Sequence, residues 1–222
     1  MTEASGVTVG DTIRWLHEEG LVRLAGVAGR VSSPISAYTV DVATGSVSAH
    51  PATGVGLGSD VVVLAADDLP YPVGTPKRLV VVGVTTAESV LVVDLAATLT
   101  LSINADRPEP AARSWVMQLL LNPEITLNTN SAEVVLADSP RCQQRFMPGG
   151  GATIINVDDK RPPITVVTLN SGADEPDHLD LADDGTGEMY LGARFWQLRQ
   201  VSTIDDTAWA ALGQELEVES TR

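Results

Sequence analysis

The chain has 222 residues, of which 44% are hydrophobic, and a formal charge of −15 at pH 7. This length allows one large domain or two small ones, and the apolar content is sufficient for a buried core. Such an acidic molecule repels nucleic acid and anionic membrane surfaces, so we expect neither as a partner. Basic residues are close together only in small groups, such as Arg141 with Arg145 and Lys77 with Arg78.

The single cysteine, Cys142, excludes an internal disulfide. The first six residues have neither a basic start nor an apolar core, so we expect no secretory signal. No stretch approaches the 18 uncharged apolar residues of a membrane span. We therefore predict a cytoplasmic chain, or a fragment of a larger protein, without membrane insertion. Arginine outnumbers lysine by twelve to two, which is typical of a GC-rich bacterial genome.

The N-terminal segment predicts a helix and then a β-hairpin. Asp11 can cap a short helix over 12–19 that ends at Gly20. The following residues fit either a helix or a strand as far as residue 35. Two β-rich runs then predict strands at 37–42 and 46–50, joined by a short turn.

A glycine-rich link over 53–59 predicts a subdomain boundary near residues 51–59. We therefore expect an N-terminal helix and β-hairpin subdomain over 1–52. The second part, over 60–222, is predicted to be a larger α/β domain. Its fold class is α/β with an α+β-like mixed sheet and flanking helices.

The middle of the chain is rich in β-branched residues and leads into one helix. Strands are predicted at 60–65, 79–84, 89–94 and 99–103, and the short link between the second and third makes them an antiparallel hairpin. An amphipathic helix over 108–121 follows. We expect a common core of Trp115, Leu119, Leu91, Val93 and Val81.

The last third of the chain predicts further short elements. Strands are expected at 133–137, 152–157, 163–169, 188–191 and 196–199, with a short helix at 139–146. A closing helix is expected to begin at Ser202 or Thr203, with Thr203 as its cap. Its apolar stripe consists of Ile204, Ala208, Leu212 and Leu216, with Trp209 beside it.

A triple glycine is the one place where the sequence favours an anionic ligand. The amides of Gly149, Gly150 and Gly151 can cradle an anion. Basic residues that lie close in sequence are Arg141, Arg145, Lys160 and Arg161. A tight loop that only connects two elements is the interpretation that we favour over this anion-binding site.

An acidic stretch over 174–188 holds seven carboxylates in fifteen residues. Calcium sites need oxygen ligands in a defined register. A loop that begins at Asp180 places Ala182 at the third position and Leu191 at the twelfth, so neither can supply a carboxylate. We therefore predict a solvated acidic loop and no metal.

Other catalytic and cofactor patterns also fail. The glycines over 54–59 precede a strand, whereas a dinucleotide-binding loop follows one. Cys142 has no histidine near it in sequence, and the three histidines are scattered, which disfavours a Cys–His pair or a zinc site. Asp94 ends a strand, where it can be a catalytic carboxylate or, more commonly, a cap. We predict no cofactor.

From residue 79 onward the order of elements resembles a region of large actinobacterial proteins. The runs that carry the resemblance are 79–83, 89–95, 99–103, 111–121, 133–136 and 185–191, with Asp106 and the Trp209 helix. In that region a Val-Asp-Leu strand precedes a Gly-Asp turn, where this chain has Asn104-Ala-Asp106. The resemblance, over 79–216, implies an uncharacterised α/β module associated with mycobacterial type VII secretion gene clusters, with no catalytic residues to carry over.

We therefore expect a non-catalytic protein-interaction or structural module whose partners are other proteins. The resemblance implies a link to actinobacterial type VII secretion. The alternative is an enzyme or ligand-binding domain that holds a small anionic ligand with the loop of Gly149 to Gly151 and the nearby arginines. A homodimer is left open.

Overall fold

A computed structural model of the protein describes residues 6–28, 34–52, 61–71, 78–137, 139–147, 152–160, 164–171 and 175–220. The helices are α1 (Val9–Trp15), α2 (Leu21–Ala28), α3 (Glu109–Leu120) and α4 (Asp206–Ser220). The strands are β1 (Ile35–Asp41), β2 (Val47–Pro51), β3 (Val62–Leu64), β4 (Leu79–Thr85), β5 (Ser89–Asp94), β6 (Thr100–Asn104), β7 (Thr126–Thr129), β8 (Cys142–Gln144), β9 (Thr153–Asp158), β10 (Thr165–Leu169), β11 (His178–Leu181), β12 (Gly187–Leu191) and β13 (Arg194–Val201).

The thirteen strands of the described residues form one mixed sheet in the order β3-β2-β1-β5-β4-β13-β12-β11-β6-β10-β9-β7-β8. The pairs β6–β10, β6–β11 and β7–β8 are parallel, and the other pairs are antiparallel. This sheet, with helices beside it, confirms the predicted mixed α/β class. Because β1 pairs with β5, the same sheet runs through both sides of the boundary predicted at 51–59.

The central strands β1, β4 and β5 are buried on both faces. Successive side chains of a strand point to opposite faces, and the two faces belong to two hydrophobic clusters. Leu91 and Val93 lie with Trp115 and Leu119 in the larger cluster, as predicted. Val81 lies in the smaller cluster, against the N-terminal helices, so its predicted place is wrong. Val81 pairs with Val92, and directly paired residues point to the same face of a sheet. Because Val92 lies between Leu91 and Val93 in the chain, Val81 points to the face opposite to theirs.

Helix α3 is buried on nearly all sides, since residues 111–116 are buried without interruption. The same cluster holds side chains from β4 at one part of the sheet and from β7 and β9 near its end. The larger core therefore extends along one side of the sheet from β4 to β9 and β7, with α3 packed in it.

Gln118 of α3 completes the hydrogen bonding of β4. The Val81 N–H donates to Gln118 Oε1 (2.7 Å), and Gln118 Nε2 donates to the Val81 carbonyl (3.0 Å). Nearby, β13 approaches β4 closely at Gly83, where a Cβ atom would lie 2.2 Å from the Gln200 carbonyl oxygen. A side chain at this position would force the two strands apart.

The N-terminal helix begins earlier and continues further than predicted. Thr8 caps α1 in a capping box with Asp11, so the prediction of Asp11 as the cap is wrong. The chain passes through a π-helical turn, Leu16–Gly20, directly into α2. Gly20 does not end the helix because Leu16, Leu21 and Leu24 are buried against the sheet, and this packing outweighs the weak helix propensity of glycine.

Two predicted elements have a different secondary structure. The strand expected at 133–137 is a short 3-10 turn, Ala132–Val134, capped by the Ser131 side chain. The short helix expected at 139–146 contains β8, which pairs in parallel with β7. Pairing with β7 makes this segment a strand. The polar sequence of β7 did not indicate a strand, so this pairing could not be predicted.

The closing helix starts three or four residues later than predicted. The Ala208 N–H donates to Asp205 Oδ1 (2.8 Å), so Asp205 caps α4 and the prediction of Thr203 is wrong. Trp209 is buried in the larger cluster, and Ile204 and Leu212 pack against it. Ala208, which was predicted on the same stripe, is exposed.

In the part of the chain that the structure describes, no helix is long and apolar enough to cross a membrane.

Candidate functional site

The site is built on the hairpin of β11 and β12. Its turn depends on Gly185, whose φ of +83° favours glycine. Asp184 Oδ1 accepts hydrogen bonds from the Thr186 N–H (2.9 Å) and the Thr186 hydroxyl (2.6 Å), which lower the pKa of Asp184. The predicted solvated loop is therefore wrong for residues 178–181, which form a paired strand.

The alternation along β11 and β12 separates an inner from an outer face. Leu179 and Met189 are fully buried in the larger cluster. Their neighbours point to the other face, because successive strand residues alternate. Strand pairing aligns His178 with Tyr190, Asp180 with Glu188, and Tyr190 with Phe195 of β13. These five side chains therefore share the outer face.

Three of these side chains form an aromatic row across β11, β12 and β13, namely His178, Tyr190 and Phe195. The His178 and Tyr190 rings are stacked with centroids 4.5 Å apart. The Tyr190 and Phe195 rings are tilted with centroids 5.0 Å apart. Phe195 is 50% exposed, so the row ends in an aromatic surface that solvent reaches.

Asp180 and Glu188 form a carboxylate pair beside the aromatic row. Asn104 Nδ2 donates to Asp180 Oδ1 (2.9 Å), and the Tyr190 hydroxyl donates to Glu188 Oε2 (2.8 Å). The hydrogen bond to Glu188 raises the pKa of Tyr190, so its hydroxyl stays protonated. Both donors are neutral and leave the two negative charges in place. Like charges directly opposite each other on a sheet are destabilising.

Among the described residues, neither carboxylate of the pair forms an ion pair with arginine or lysine. The basic group near Asp180 is His178, whose Nε2 lies 3.6 Å from Asp180 Oδ2. A cleft of about 270 Å³ lies next to the pair. Its lining includes Asp180, Glu188, Thr186 and Gln197. The surface thus combines two carboxylates that lack an arginine or lysine partner among the described residues with an aromatic row whose Phe195 ring is half-exposed.

This arrangement is suited to binding a positively charged group. Aromatic faces attract cations, and carboxylates accept charge-assisted hydrogen bonds from them. Within the described residues, no three His, Cys, Asp or Glu side chains are placed to hold a metal ion together.

The two arginines of the predicted anion-binding site make different contacts. Arg141 donates to the carbonyls of Leu120 (2.7 Å), Asn122 (2.8 Å) and Ile125 (3.3 Å), at the C-terminal end of α3. Arg145 is exposed and donates to Gln143 Oε1. Gly149, Gly150 and Gly151 lie outside the described residues, so the anion-binding site stays a prediction.

Two further candidate residues have structural roles. Cys142 is 2% exposed, and burial raises the pKa of its thiol, which disfavours the reactive thiolate. Asp94 Oδ1 accepts a hydrogen bond from the Ala96 N–H (2.9 Å) and caps the short turn after β5. This confirms the interpretation of Asp94 as a strand-end cap.

Arg78, from the second basic group, is also structural. It is buried and forms an ion pair with Asp159 (2.9 Å), and it donates to the Thr165 hydroxyl (2.8 Å). Its neighbour Lys77 lies outside the described residues, as do the glycines over 54–59.

No protein-family model matches the chain, and neither a curated protein nor a solved structure matches it.

Sequence reasoning did not bring the aromatic row and the carboxylate pair together. A signal was present: Asp184-Gly185 is a typical hairpin turn. It is flanked by the alternating segments His178-Leu-Asp-Leu181 and Glu188-Met-Tyr-Leu191. The high number of acidic residues favoured a loop. The alternation of apolar and polar residues, which indicates strands, was therefore given too little weight.

Proposed function

We propose that this chain is a non-catalytic protein-interaction module. Its binding surface is the outer face of β11, β12 and β13, and its partner is a protein segment with net positive charge. One observation carries the proposal, namely the aromatic row with its half-exposed Phe195 ring, beside a carboxylate pair that has no arginine or lysine partner among the described residues.

The aromatic row supports binding because it offers apolar area on a rigid platform. Tyr and Phe are enriched in the cores of protein interfaces, where they bury large areas at a low cost in side-chain entropy. The stacking of His178 on Tyr190 restricts the Tyr190 ring before any partner arrives. A partner that covers Phe195 removes an exposed aromatic side chain from water.

The charge of the molecule supports a positively charged partner. The formal charge is −15, so the long-range field attracts cationic segments and repels anionic ones. At close range, the carboxylate pair gives the same preference at a defined place. The type VII secretion setting implied by the resemblance stays a prediction, because none of the described contacts bears on it.

The proposal is tested by NMR titration of the 15N-labelled chain with two blocked nonapeptides, one basic and one acidic. We expect the basic peptide to shift the amide signals of β11, β12 and β13 in a saturable manner, and the acidic peptide to leave them unchanged. The variant Phe195→Ser should weaken the binding of the basic peptide. Leu99→Ser, at another exposed apolar residue, is the matched control.

The proposal fails if neither peptide shifts this face, or if the basic peptide shifts only other regions. A parallel thermal-shift screen with nucleotides and sugar phosphates tests the alternative. Saturable stabilisation by one of these anions, with no peptide binding, would favour an anionic-ligand domain over an interaction module.

A further inference from the structure

We infer that the carboxylate pair and the aromatic row recognise an arginine side chain of the partner segment. This inference rests on the proposed function and names the group that its surface binds. In the proposed contact, the guanidinium lies against the half-exposed ring of Phe195, since the Tyr190 ring has His178 and Phe195 on its two sides. Its N–H groups point to Glu188, and Asp180 adds a second negative charge beside Glu188.

The first argument is the geometry of the two features. Tyr190 belongs to the aromatic row and also donates its hydroxyl to Glu188, so the ring and the carboxylate are fixed next to each other. Asp180 is aligned with Glu188 on the neighbouring strand. A ligand that touches the exposed end of the row at Phe195 therefore lies beside Glu188, with the charge of Asp180 on the next strand.

The second argument is the way in which each carboxylate is held. Asn104 fixes Asp180, and Tyr190 fixes Glu188, each through one oxygen atom. In the described part of the chain, Glu188 Oε1 has no hydrogen-bond partner. Asn104 and Tyr190 thus orient the pair. His178 Nε2 lies 3.6 Å from the second oxygen of Asp180, and Glu188 Oε1 is left for an external donor.

The third argument is that nearby arginines of the chain itself are engaged elsewhere. On β13, Arg199 pairs with Glu88 (2.9 Å), and Arg194 donates to the Pro51 carbonyl (3.2 Å). These two arginines are therefore engaged with other groups, and within the described residues no arginine or lysine pairs with Asp180 or Glu188. A cation from another molecule would relieve the repulsion between Asp180 and Glu188.

Arginine fits this surface better than lysine does. Its guanidinium is planar and can stack on an aromatic ring while its N–H donors bond to a neighbouring carboxylate. A lysine ammonium is compact and strongly hydrated, and it cannot make both contacts through one flat group. The chemistry of the site therefore favours arginine.

The test measures the affinity of the full chain for four blocked nonapeptides that differ at three equivalent positions. These positions carry arginine, lysine, citrulline or glutamate. We expect the arginine peptide to bind most tightly, the lysine peptide to bind at least threefold more weakly, and the uncharged citrulline peptide to bind very weakly. Lysine equal to arginine, or citrulline equal to arginine, would overturn the arginine inference.

The double variant Asp180→Asn, Glu188→Gln should lose about tenfold in affinity for the arginine peptide, because charge-assisted hydrogen bonds become neutral ones. Asp67→Asn, Asp68→Asn removes the same charge from exposed positions after β3 and should lose much less. Equal losses in both double variants would show a general charge effect and would overturn the inference. Melting temperatures of both variants show that the fold is retained.

The two proposals fail in distinguishable ways. If no peptide shifts the signals of β11, β12 and β13, the interaction face itself is wrong. If peptides bind this face without a preference for arginine, the interaction module stands and only the arginine inference is wrong.

Discussion

Leu119 and Leu121 lie two positions apart at the end of α3 but differ in exposure, at 2% and 59%. We predict that Leu119→Ala lowers the free energy of unfolding by roughly 2–5 kcal/mol, the usual range for a core truncation. The matched substitution Leu121→Ala should change it by less than about 0.5 kcal/mol. Urea unfolding of both variants measures these values. If Leu119→Ala also costs less than about 0.5 kcal/mol, the packing of α3 against the sheet is contradicted.

Arg141 donates hydrogen bonds to main-chain carbonyls at and just after the C-terminal end of α3, so it supports the fold. We predict that Arg141→Ala lowers the free energy of unfolding by about 1–3 kcal/mol, because buried carbonyl groups lose their donor. Arg145→Ala, at an exposed arginine on the same segment, should have little effect. Urea unfolding distinguishes the two variants, and equal small effects would show that Arg141 does not support the fold.

At the scale of elements, Asp206 ties the start of α4 to α3. It accepts hydrogen bonds from Arg113, which is buried, and from Arg107 (2.8 Å). These hydrogen bonds lower the pKa of the Asp206 carboxyl. The ionised form is therefore stabilised in the folded state relative to the unfolded one, where the pKa of an aspartate is about 3.9.

A carboxyl whose folded pKa is depressed contributes stability above its unfolded pKa, and this contribution is lost as the pH falls through the folded pKa. We predict that Asp206→Asn melts at a lower temperature than the wild type at pH 7. The difference should shrink below about pH 4 as the wild-type carboxyl becomes protonated. Thermal unfolding across this pH range measures it, with Asp183→Asn as the control at an exposed aspartate. A difference independent of pH would contradict this role of Asp206.

At the scale of the whole molecule, the charge of −15 opposes association with nucleic acids, which are also negatively charged. We predict no DNA or RNA binding at micromolar protein in about 150 mM salt, because neutralisation of phosphates by lysine and arginine supplies most nonspecific affinity. An electrophoretic mobility shift assay checks this. A shifted band under these conditions would show a local basic surface that the described residues do not reveal.

The strands β4 and β5 could be predicted from sequence almost to the residue because they are continuous runs of valine and leucine. Their burial on both faces is the reason for that composition. β7, β8 and β11 could not be predicted in this way. They are short or polar, and pairing with distant parts of the chain makes them strands.

The sequence by itself determined the α/β class, the central strands, helix α3 and the acidic character of the molecule. These properties follow from local periodicity and composition, which need no knowledge of neighbours in space. The tertiary structure decided which face each side chain occupies, as Val81 shows, and which arginines are structural. It also placed Tyr190, Phe195, Asp180 and Glu188 together. A hairpin turn in the sequence indicates which strands are neighbours, but the observed register and the burial of Leu179 and Met189 in the larger cluster decide which side chains share the outer face.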